Sequence, residues 1–287
     1  MTKFAFLSDT HIGANPIGFH QQPAYPEKME ELIAEIKALA REGEIDFVLH
    51  GGDMIDRCEL ETIQESGRLF QMDVPVYLSL GNHDVDRIDA EEIWLQHAPQ
   101  FFNGFSPQYT IRHENCVIHV IPNQWEIGST YYWEQAQNPY FTKYQLNKLK
   151  IELDQHTEYV HLLAIHNPIF GISSEQTGMD HVIHDVPAEF RETVLNLMHE
   201  YPHIKGVLSG HNHVNTLKRT SEGFFVSNSA FIETPFAYKL IEITDKQINI
   251  TSKTVDTSSS FSPKYNSNRA YVYGREQDRT MIWNLEG

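Results

Sequence analysis

Five short polar clusters combine residue types that bind metal ions, and each cluster follows a short apolar segment. They are Asp9-x-His11, Gly52-Asp53-x-x-Asp56, Gly81-Asn82-His83-Asp84, His166-Asn167-Pro168 and Gly210-His211-Asn212-His213. Carboxylate, imidazole and amide oxygen donors suit Mn, Fe, Zn or Co rather than soft copper. Because alternate residues at a strand end lie on one side, Asp9 and His11 are expected to face one point, as are His211 and His213. The clusters therefore predict a metal centre.

The apolar segments alternate with helical patterns in the first part of the chain. Strands are predicted at 3–8, 46–50 and 75–80, and helices at 26–41 and 59–71. This order favours a parallel sheet with helical crossovers, in which the polar ends of the strands share one edge. Ligands bind beyond the carboxyl ends of such strands, so the clusters are expected to meet there.

The remaining elements are predicted from the same periodicities. Strands are predicted at 109–112, 116–121, 159–165, 204–209, 224–228, 238–244 and 247–253, and helices at 142–155 and 186–201. The last three strands are expected to form a meander. Residues 256–268 are rich in Ser, Asn and Pro and are interpreted as a linker, followed by a short terminal arm that packs back.

Composition and charge restrict the possible partners. With 287 residues, 40% of them hydrophobic, the chain is expected to form one large globular domain with a short appendage. A formal charge of −17 disfavours nucleic acid and anionic membranes as partners. It does not disfavour a small anionic substrate, since bound cations reverse the local field.

Cysteine content and the first residues indicate the cellular setting. The two cysteines, Cys58 and Cys116, cannot build a disulfide framework or a thiolate zinc site. The apolar run before Asp9 is too short for a signal peptide or a membrane span. A cytoplasmic protein in a reducing environment is therefore expected.

Taken together, the five clusters resemble the motif set of the calcineurin-like metallophosphoesterase superfamily over roughly residues 3–255. The resemblance implies an α/β fold, a four-layer α/β/β/α sandwich of two mixed sheets with helices on both outer faces. It places a catalytic domain at 1–255, with the linker and arm at 256–287. It also implies hydrolysis of a phosphate ester by a hydroxide that bridges two divalent or trivalent metal ions.

The same resemblance implies a role for each cluster residue. Asp9, His11 and His213 would hold one ion, whereas Asn82, His166 and His211 would hold the other. Asp53 would bridge both ions. His83 would face the substrate, binding a phosphoryl oxygen or protonating the leaving group, and the Asp56 carboxylate would orient it. An N-cap for the helix after Asp56 is the alternative for that residue.

Three branches of the superfamily compete. Purple acid phosphatases resemble this pattern but carry Tyr at the position of Asp56 and lack a histidine at that of His11. Protein phosphatases end their second motif with Asp-Arg-Gly, which Asp56-Arg57-Cys58 matches in part, and Arg57 could bind a phosphate there. They lack the Gly-His-x-His cluster that this chain has. The chain most resembles the cyclic-nucleotide and glycerophosphodiester phosphodiesterases, so a small phosphodiester is the expected substrate. A phosphomonoesterase, a protein-phosphatase-like enzyme and a non-catalytic scaffold are the alternatives.

Three loops are candidates for substrate recognition. They are 12–26 with His20; 123–138 with Trp125, Tyr131, Tyr132 and Trp133; and 171–185 with His181 and His184. The aromatic loop is expected either to stack on a base or sugar or to pack as an ordinary surface loop. Asp84 is expected to support the site rather than to bind metal.

Overall fold

Two six-stranded mixed sheets form the centre of the computed structural model, which describes residues 1–18, 20–135 and 137–285. Positions 19 and 136, within two of the predicted recognition loops, lie outside the described residues. So do positions 286–287, at the end of the predicted arm.

Most elements lie where the apolar periodicity predicts them. The strands are β1 (Thr2–Leu7), β2 (Phe47–His50), β3 (Val76–Leu78), β4 (Tyr109–His113), β5 (Cys116–Val120), β6 (Val160–Ala164), β7 (Ile204–Ser209), β8 (Thr216–Arg219), β9 (Phe224–Ser227), β10 (Ala237–Ile243), β11 (Gln247–Thr254) and β12 (Thr280–Asn284). The helices are α1 (Met29–Arg41), α2 (Leu60–Leu69), α3 (Ala90–His97), α4 (Lys143–Leu153), α5 (Ser174–Thr177), α6 (Ala188–Glu200) and α7 (Glu276–Arg279). Short 3-10 helices lie at Pro26–Lys28, His83–Val85, Pro99–Phe101 and Ser267–Tyr273.

Each sheet has a parallel part that aims its strand ends in one direction. The first sheet has the order β12-β11-β10-β1-β2-β3, and its β1, β2 and β3 are parallel. The second sheet has the order β4-β5-β6-β7-β9-β8, and its β5, β6, β7 and β9 are parallel. The loops after β1, β2, β3, β6 and β7 carry the five polar clusters, and the loops after β5 and β9 flank them.

Helices cover the outer faces, as the predicted sandwich requires. In β6, Leu162 joins the apolar core between the sheets, whereas its neighbour Leu163 packs with the buried residues of α4 and α6. This alternation is the pleat of a strand that is buried on both faces. On the first sheet, Leu32 and Ile36 of α1 and Ile63 of α2 belong to the same core as the strands. The predicted α/β fold of two mixed sheets is confirmed.

The predicted meander is wrong. β9 pairs with β7 in the second sheet, whereas β10 and β11 pair with each other in the first. The segment 228–236 crosses between the sheets, and a pattern of short apolar strands does not show to which sheet each strand belongs. Apolar periodicity does not predict β8 or α3, because β8 is largely exposed and α3 is only two turns long.

The C-terminal segment returns to the first sheet. β12 pairs antiparallel with β11, so the end of the chain adds a strand to the sheet edge. The division into a catalytic domain at 1–255 and an arm at 256–287 stays a prediction. Within the part of the chain that the structure describes, every helix is too short or too polar to cross a membrane.

Candidate metal centre

The loops after β1, β2, β3, β6 and β7 meet at one edge of the two sheets. The amide of Asp9 donates to the carbonyl of Gly52 at 2.9 Å, and that of His11 donates to Asp53 at 3.0 Å. The amide of Gly210 donates to the carbonyl of His166 at 2.9 Å. The parallel strands thus continue pairing beyond their ends and fix the cluster residues in place.

Five residues of this edge share an unfavourable backbone conformation. Asp9, His11, Asp53, His211 and His213 have φ values of 57°, 40°, 52°, 68° and 56°. Residues other than glycine rarely adopt this left-handed region, and each such residue costs roughly 1–3 kcal/mol. The surrounding hydrogen bonds maintain the strain, and strain of this kind is concentrated at functional sites.

One group of side chains forms around Asp9. The Nε2 atom of His213 lies 3.4 Å from Asp9 Oδ1 and 3.1 Å from His11 Nε2. His11 Nε2 lies 3.9 Å from Asp9 Oδ1. All three residues are buried, and their donor atoms are close enough together to surround one cation.

A second group forms around Asp53. Its Oδ2 atom lies 3.2 Å from His166 Nε2 and 3.9 Å from His11 Nε2 in the first group. His211 Nδ1 lies 2.9 Å from Asn82 Oδ1. Asp53, His166 and His211 can surround a cation, and Asp53 stands between the two groups. The structure therefore brings together all seven predicted ligands.

The donor set fits metal ions. His166 Nδ1 contacts the carbonyl of Gly51 at 2.8 Å, which fixes its proton there and turns Nε2 toward Asp53. The buried Nε2 atom faces Asp53 Oδ2 at 3.2 Å and lies near His211, an arrangement in which one cation would bind all three side chains.

The electrostatics of the centre favour positive charge. Burial lowers the pKa of His166, but the Asp53 carboxylate outweighs burial and raises it to about 9. Burial likewise raises the pKa of Asp9, but the bond and charge of His213 outweigh it and lower that pKa to about 2. Burial lowers the pKa of His211 to about 3, which keeps this imidazole neutral and able to bind metal.

A model of the calcineurin-like phosphoesterase family matches residues 2–215. The chain belongs to this family. A protein of Ruthia magnifica subsp. Calyptogena magnifica, described as a probable cyclic nucleotide phosphodiesterase, is 28% identical over 215 residues, which are 74% of this chain and 78% of that protein. The family acts with two metal ions, and the clustered His and Asp residues account for where they can bind.

Solved structures of low sequence identity share the fold. A dimetal phosphatase from Danio rerio has a TM-score of 0.63 at 14% identity, covering 88% of this chain and 96% of its own. A purple acid phosphatase from yellow lupin has a TM-score of 0.60 at 12% identity, covering 92% and 52%. GAP50, described as the anchor in the inner membrane complex of Plasmodium, has a TM-score of 0.59 at 12% identity, covering 88% and 84%. At these identities the likeness concerns the fold alone.

His83 lies at the rim of the phosphoesterase centre. Its amide donates to Asp53 Oδ1 at 2.8 Å, and its Nδ1 lies 2.8 Å from the backbone carbonyl of Asp56. The Asp56 carboxylate is 3.7 Å from this Nδ1 and 3.5 Å from His11 Nδ1. The contact within hydrogen-bond distance is therefore made by the Asp56 backbone, not by the carboxylate that the resemblance implied.

Asp84 supports the loops and lies behind the ligands. Its carboxylate accepts from the amides of Met54 at 2.9 Å, Ile55 at 3.2 Å and Gly81 at 2.8 Å. Burial, together with the charge of Asp53, raises its pKa to about 7. Asp84 thus ties the β2 loop to the β3 loop, which agrees with the supporting role expected from the sequence.

The recognition loops approach the centre to different extents. The ring of His20 lies 6.3 Å from that of His11. His184 is largely exposed, and partial desolvation together with the charge of His213 lowers its pKa, whereas His181 is exposed beside Asp180.

Some aromatic residues of the loop 123–138 pack in the core, and others lie next to the site. Trp125 and Tyr131 are buried in the core. Trp133 contacts His83, with ring centroids 5.7 Å apart. Tyr132 and exposed Arg57 line an open groove of about 540 Å³, together with Cys58 and Asp86.

The sequence analysis missed Glu233 and Asn123. Glu233, in the crossing segment after β9, contacts His213 Nδ1. Asn123 Nδ2, after β5, donates to Asn167 Oδ1 at 2.9 Å. Both loops follow parallel strands, and the single acidic residue in the largely apolar run 230–236 is the available sequence signal for Glu233.

Proposed function

We propose that this protein hydrolyses a small phosphodiester, of the cyclic nucleotide or glycerophosphodiester class, with two bound metal ions. The position of Asp53 between two groups of metal-binding side chains carries the proposal. A carboxylate in that position can bind both ions at once. Paired ions of this kind serve phosphoryl displacement in many phosphatases and nucleases.

The proposed ligands divide into two sets. Asp9, His11 and His213 hold one ion. Asn82, His166 and His211 hold the other. Asp53 belongs to both sets.

The metal ions and His83 have different roles in the proposed reaction. When bound, the ions polarise the phosphoryl group and acidify water. His83 Nδ1 donates to the Asp56 carbonyl, and Nε2 is the ring atom that the proposal turns toward the substrate. In its doubly protonated form the ring can donate from Nε2 to a phosphoryl oxygen or to the departing oxygen. Trp133 packs beside His83 and limits the positions that its ring can take.

Charge supports a diester as the substrate. A diester carries one negative charge, whereas a monoester carries nearly two at neutral pH. Away from the ions, a protein with a formal charge of −17 repels an approaching dianion more strongly than a monoanion. The relative described as a probable cyclic nucleotide phosphodiesterase supports the same class.

A phosphomonoesterase, including a protein-phosphatase-like enzyme, is the second candidate. Arg57 is exposed beside Asp56, where a guanidinium can bind the extra charge of a monoester. A non-catalytic scaffold is weaker, because every proposed ligand position is filled by a metal-binding residue.

The setting that we propose is the cytoplasm. Cys58 and Cys116 are both unpaired and buried. Burial raises the pKa of both thiols, which suits inert structural cysteines in a reducing environment.

Metal content and ester preference test the proposal together. Protein saturated with Mn²⁺ should hold about two ions per chain and have a higher kcat/KM for bis-p-nitrophenyl phosphate than for p-nitrophenyl phosphate. Asp53→Asn is the control, since it removes the shared charge and should abolish turnover at saturating metal. Fewer than about 1.5 ions per chain would exclude the two-metal centre. A clear monoester advantage would instead favour the second candidate.

A further inference from the structure

Glu233 is a buried carboxylate whose oxygen atoms are both used. Its Oε1 atom accepts from His213 Nδ1 and lies 3.5 Å from His20 Nδ1. Its Oε2 atom accepts from the backbone amide of Gln22 at 2.6 Å. The side chain is 0% exposed. A buried charge is costly unless it is paired and hydrogen-bonded, so this carboxylate stabilises the fold only while these contacts persist.

The contact with His213 determines which ring nitrogen faces the centre. A carboxylate can only accept, so His213 Nδ1 carries the proton and donates it to Glu233. The other nitrogen, Nε2, is the one that lies 3.4 Å from Asp9 Oδ1 and 3.1 Å from His11 Nε2. A carboxylate behind a metal-binding histidine fixes its tautomer and orientation and makes the imidazole more basic.

The contact with Gln22 connects the same carboxylate to the loop 12–26. Backbone hydrogen bonds join this loop to the crossing segment on both sides of Glu233, from Tyr25 to Ile232 and from Thr234 to Pro23. The Gln22 side chain in turn donates to the carbonyls of Asn266 and Arg269 at 2.9 Å. One buried residue thus connects the His213 side of the centre to a loop that flanks it and to the C-terminal segment.

We propose that Glu233 is a positioning residue that orients His213 for metal binding and fixes the His20 loop against the centre. The inference rests on the proposed two-metal function, and it assigns a role to a residue outside the five motifs. It predicts that the charge of Glu233 sets the affinity for one of the two ions.

Metal affinity of Glu233→Gln tests this role without an activity assay. The variant keeps the shape of the side chain and removes its charge. One of the two Mn²⁺ dissociation constants, measured by competition with a fluorescent chelator, should rise about 10–100-fold. With Co²⁺ in place of Mn²⁺, the ligand-field spectrum should also change. Glu233→Asp, which keeps the charge but retracts it from His213, should lie between wild type and Glu233→Gln.

Glu152→Gln is the matched control. Glu152 of α4 contacts His119 Nδ1 of β5 at 3.3 Å, which gives a second His–Glu pair outside the metal centre. Removing the charge of Glu152 should lower the melting temperature in EDTA without changing metal affinity. If Glu233→Gln behaves like this control, Glu233 is merely structural and the inference is overturned. If Glu233→Gln does not fold, wild-type affinity in Glu233→Asp overturns it instead.

The wild-type protein separates the two possible failures. If it binds fewer than about 1.5 ions per chain, the proposed function itself fails. If it binds two ions and Glu233→Gln binds them equally well, only the role of Glu233 is wrong.

Discussion

Single residues define the chemistry of this centre, and the sequence identifies them by type and spacing. All seven proposed ligands lie at one edge of the sheets because each follows a strand whose end points there. Residue type and spacing do not show which atoms of a residue make each contact. The Asp56 backbone carbonyl, rather than the expected carboxylate, lies 2.8 Å from His83 Nδ1. Every residue has a carbonyl, so its residue type gives no sign of this contact.

His83→Ala separates chemistry from metal binding. His83 is not among the proposed ligands: its amide donates to Asp53 and its ring packs 4.8 Å from that of His11, so the variant should keep both ions. Its kcat should fall by roughly 10²–10⁴-fold for a diester with an alkoxide leaving group, which needs a proton. The fall should be small for a p-nitrophenolate leaving group, which does not. Steady-state kinetics on both esters and elemental analysis measure these effects. Equal losses would mean that His83 binds phosphate, and lost metal would make it a ligand.

Asp56→Asn gives the companion test. The substitution retains the backbone carbonyl that holds His83 but changes the carboxylate 3.5 Å from His11 Nδ1. Its effect should therefore be nearly the same for both leaving groups. A leaving-group dependence like that of His83→Ala would return the orienting role to the carboxylate.

At the scale of elements, short apolar strands and the turns after them could be predicted, but their pairing could not. The sequence correctly predicts a strand at 224–228, yet this strand, β9, lies in the second sheet and β10 lies in the first. The periodicity of a strand shows which of its faces are buried, but it does not show which other strand pairs with it. The crossing segment between β9 and β10 carries Glu233, so the error in pairing and the missed residue have the same origin.

The turn after β2 depends on Gly52. It has a φ of 107°, and a Cβ atom there would lie 2.3 Å from His166 Nδ1. Gly52→Ala should cost about 2–5 kcal/mol of unfolding free energy, the sum of backbone strain and overpacking. It should also weaken metal binding, because His166 must move. Chemical denaturation and metal titration measure the two effects.

Gly43→Ala is the control for this substitution. Gly43 also has a positive φ, 71°, but a Cβ atom there would meet nothing within 4 Å. The variant should show only the strain, about 1–2 kcal/mol, with metal affinity unchanged. If both variants bind metal as the wild type does, Gly52 serves the turn alone.

At the scale of the whole molecule, a second group of histidines lies within the second sheet, outside the metal centre. His161 is 0% exposed, its Nε2 contacts the carbonyl of His156 at 3.0 Å, and its Nδ1 lies 3.0 Å from His119 Nε2. The ring of His203 is 4.4 Å from that of His161, and Glu152 contacts the far side of His119. The sequence predicts strands at 116–121 and 159–165 but not that they are neighbours. The contact between His119 and His161 arises from the pairing of β5 with β6, so the sequence does not predict it.

This group makes global stability depend on pH. Burial, which outweighs the bond to the His156 carbonyl, lowers the pKa of His161 from 6.5 to about 4. Between these values the unfolded chain binds a proton that the folded chain does not, so stability falls as pH decreases from 6.5 toward 4 and is unaffected above 6.5. His161→Gln should remove this loss, at most about 3 kcal/mol, whereas exposed His97→Gln should leave it unchanged. Urea unfolding of all three proteins in EDTA, at pH 7.5 and pH 5, measures it; parallel losses in wild type and His161→Gln would refute the role of His161.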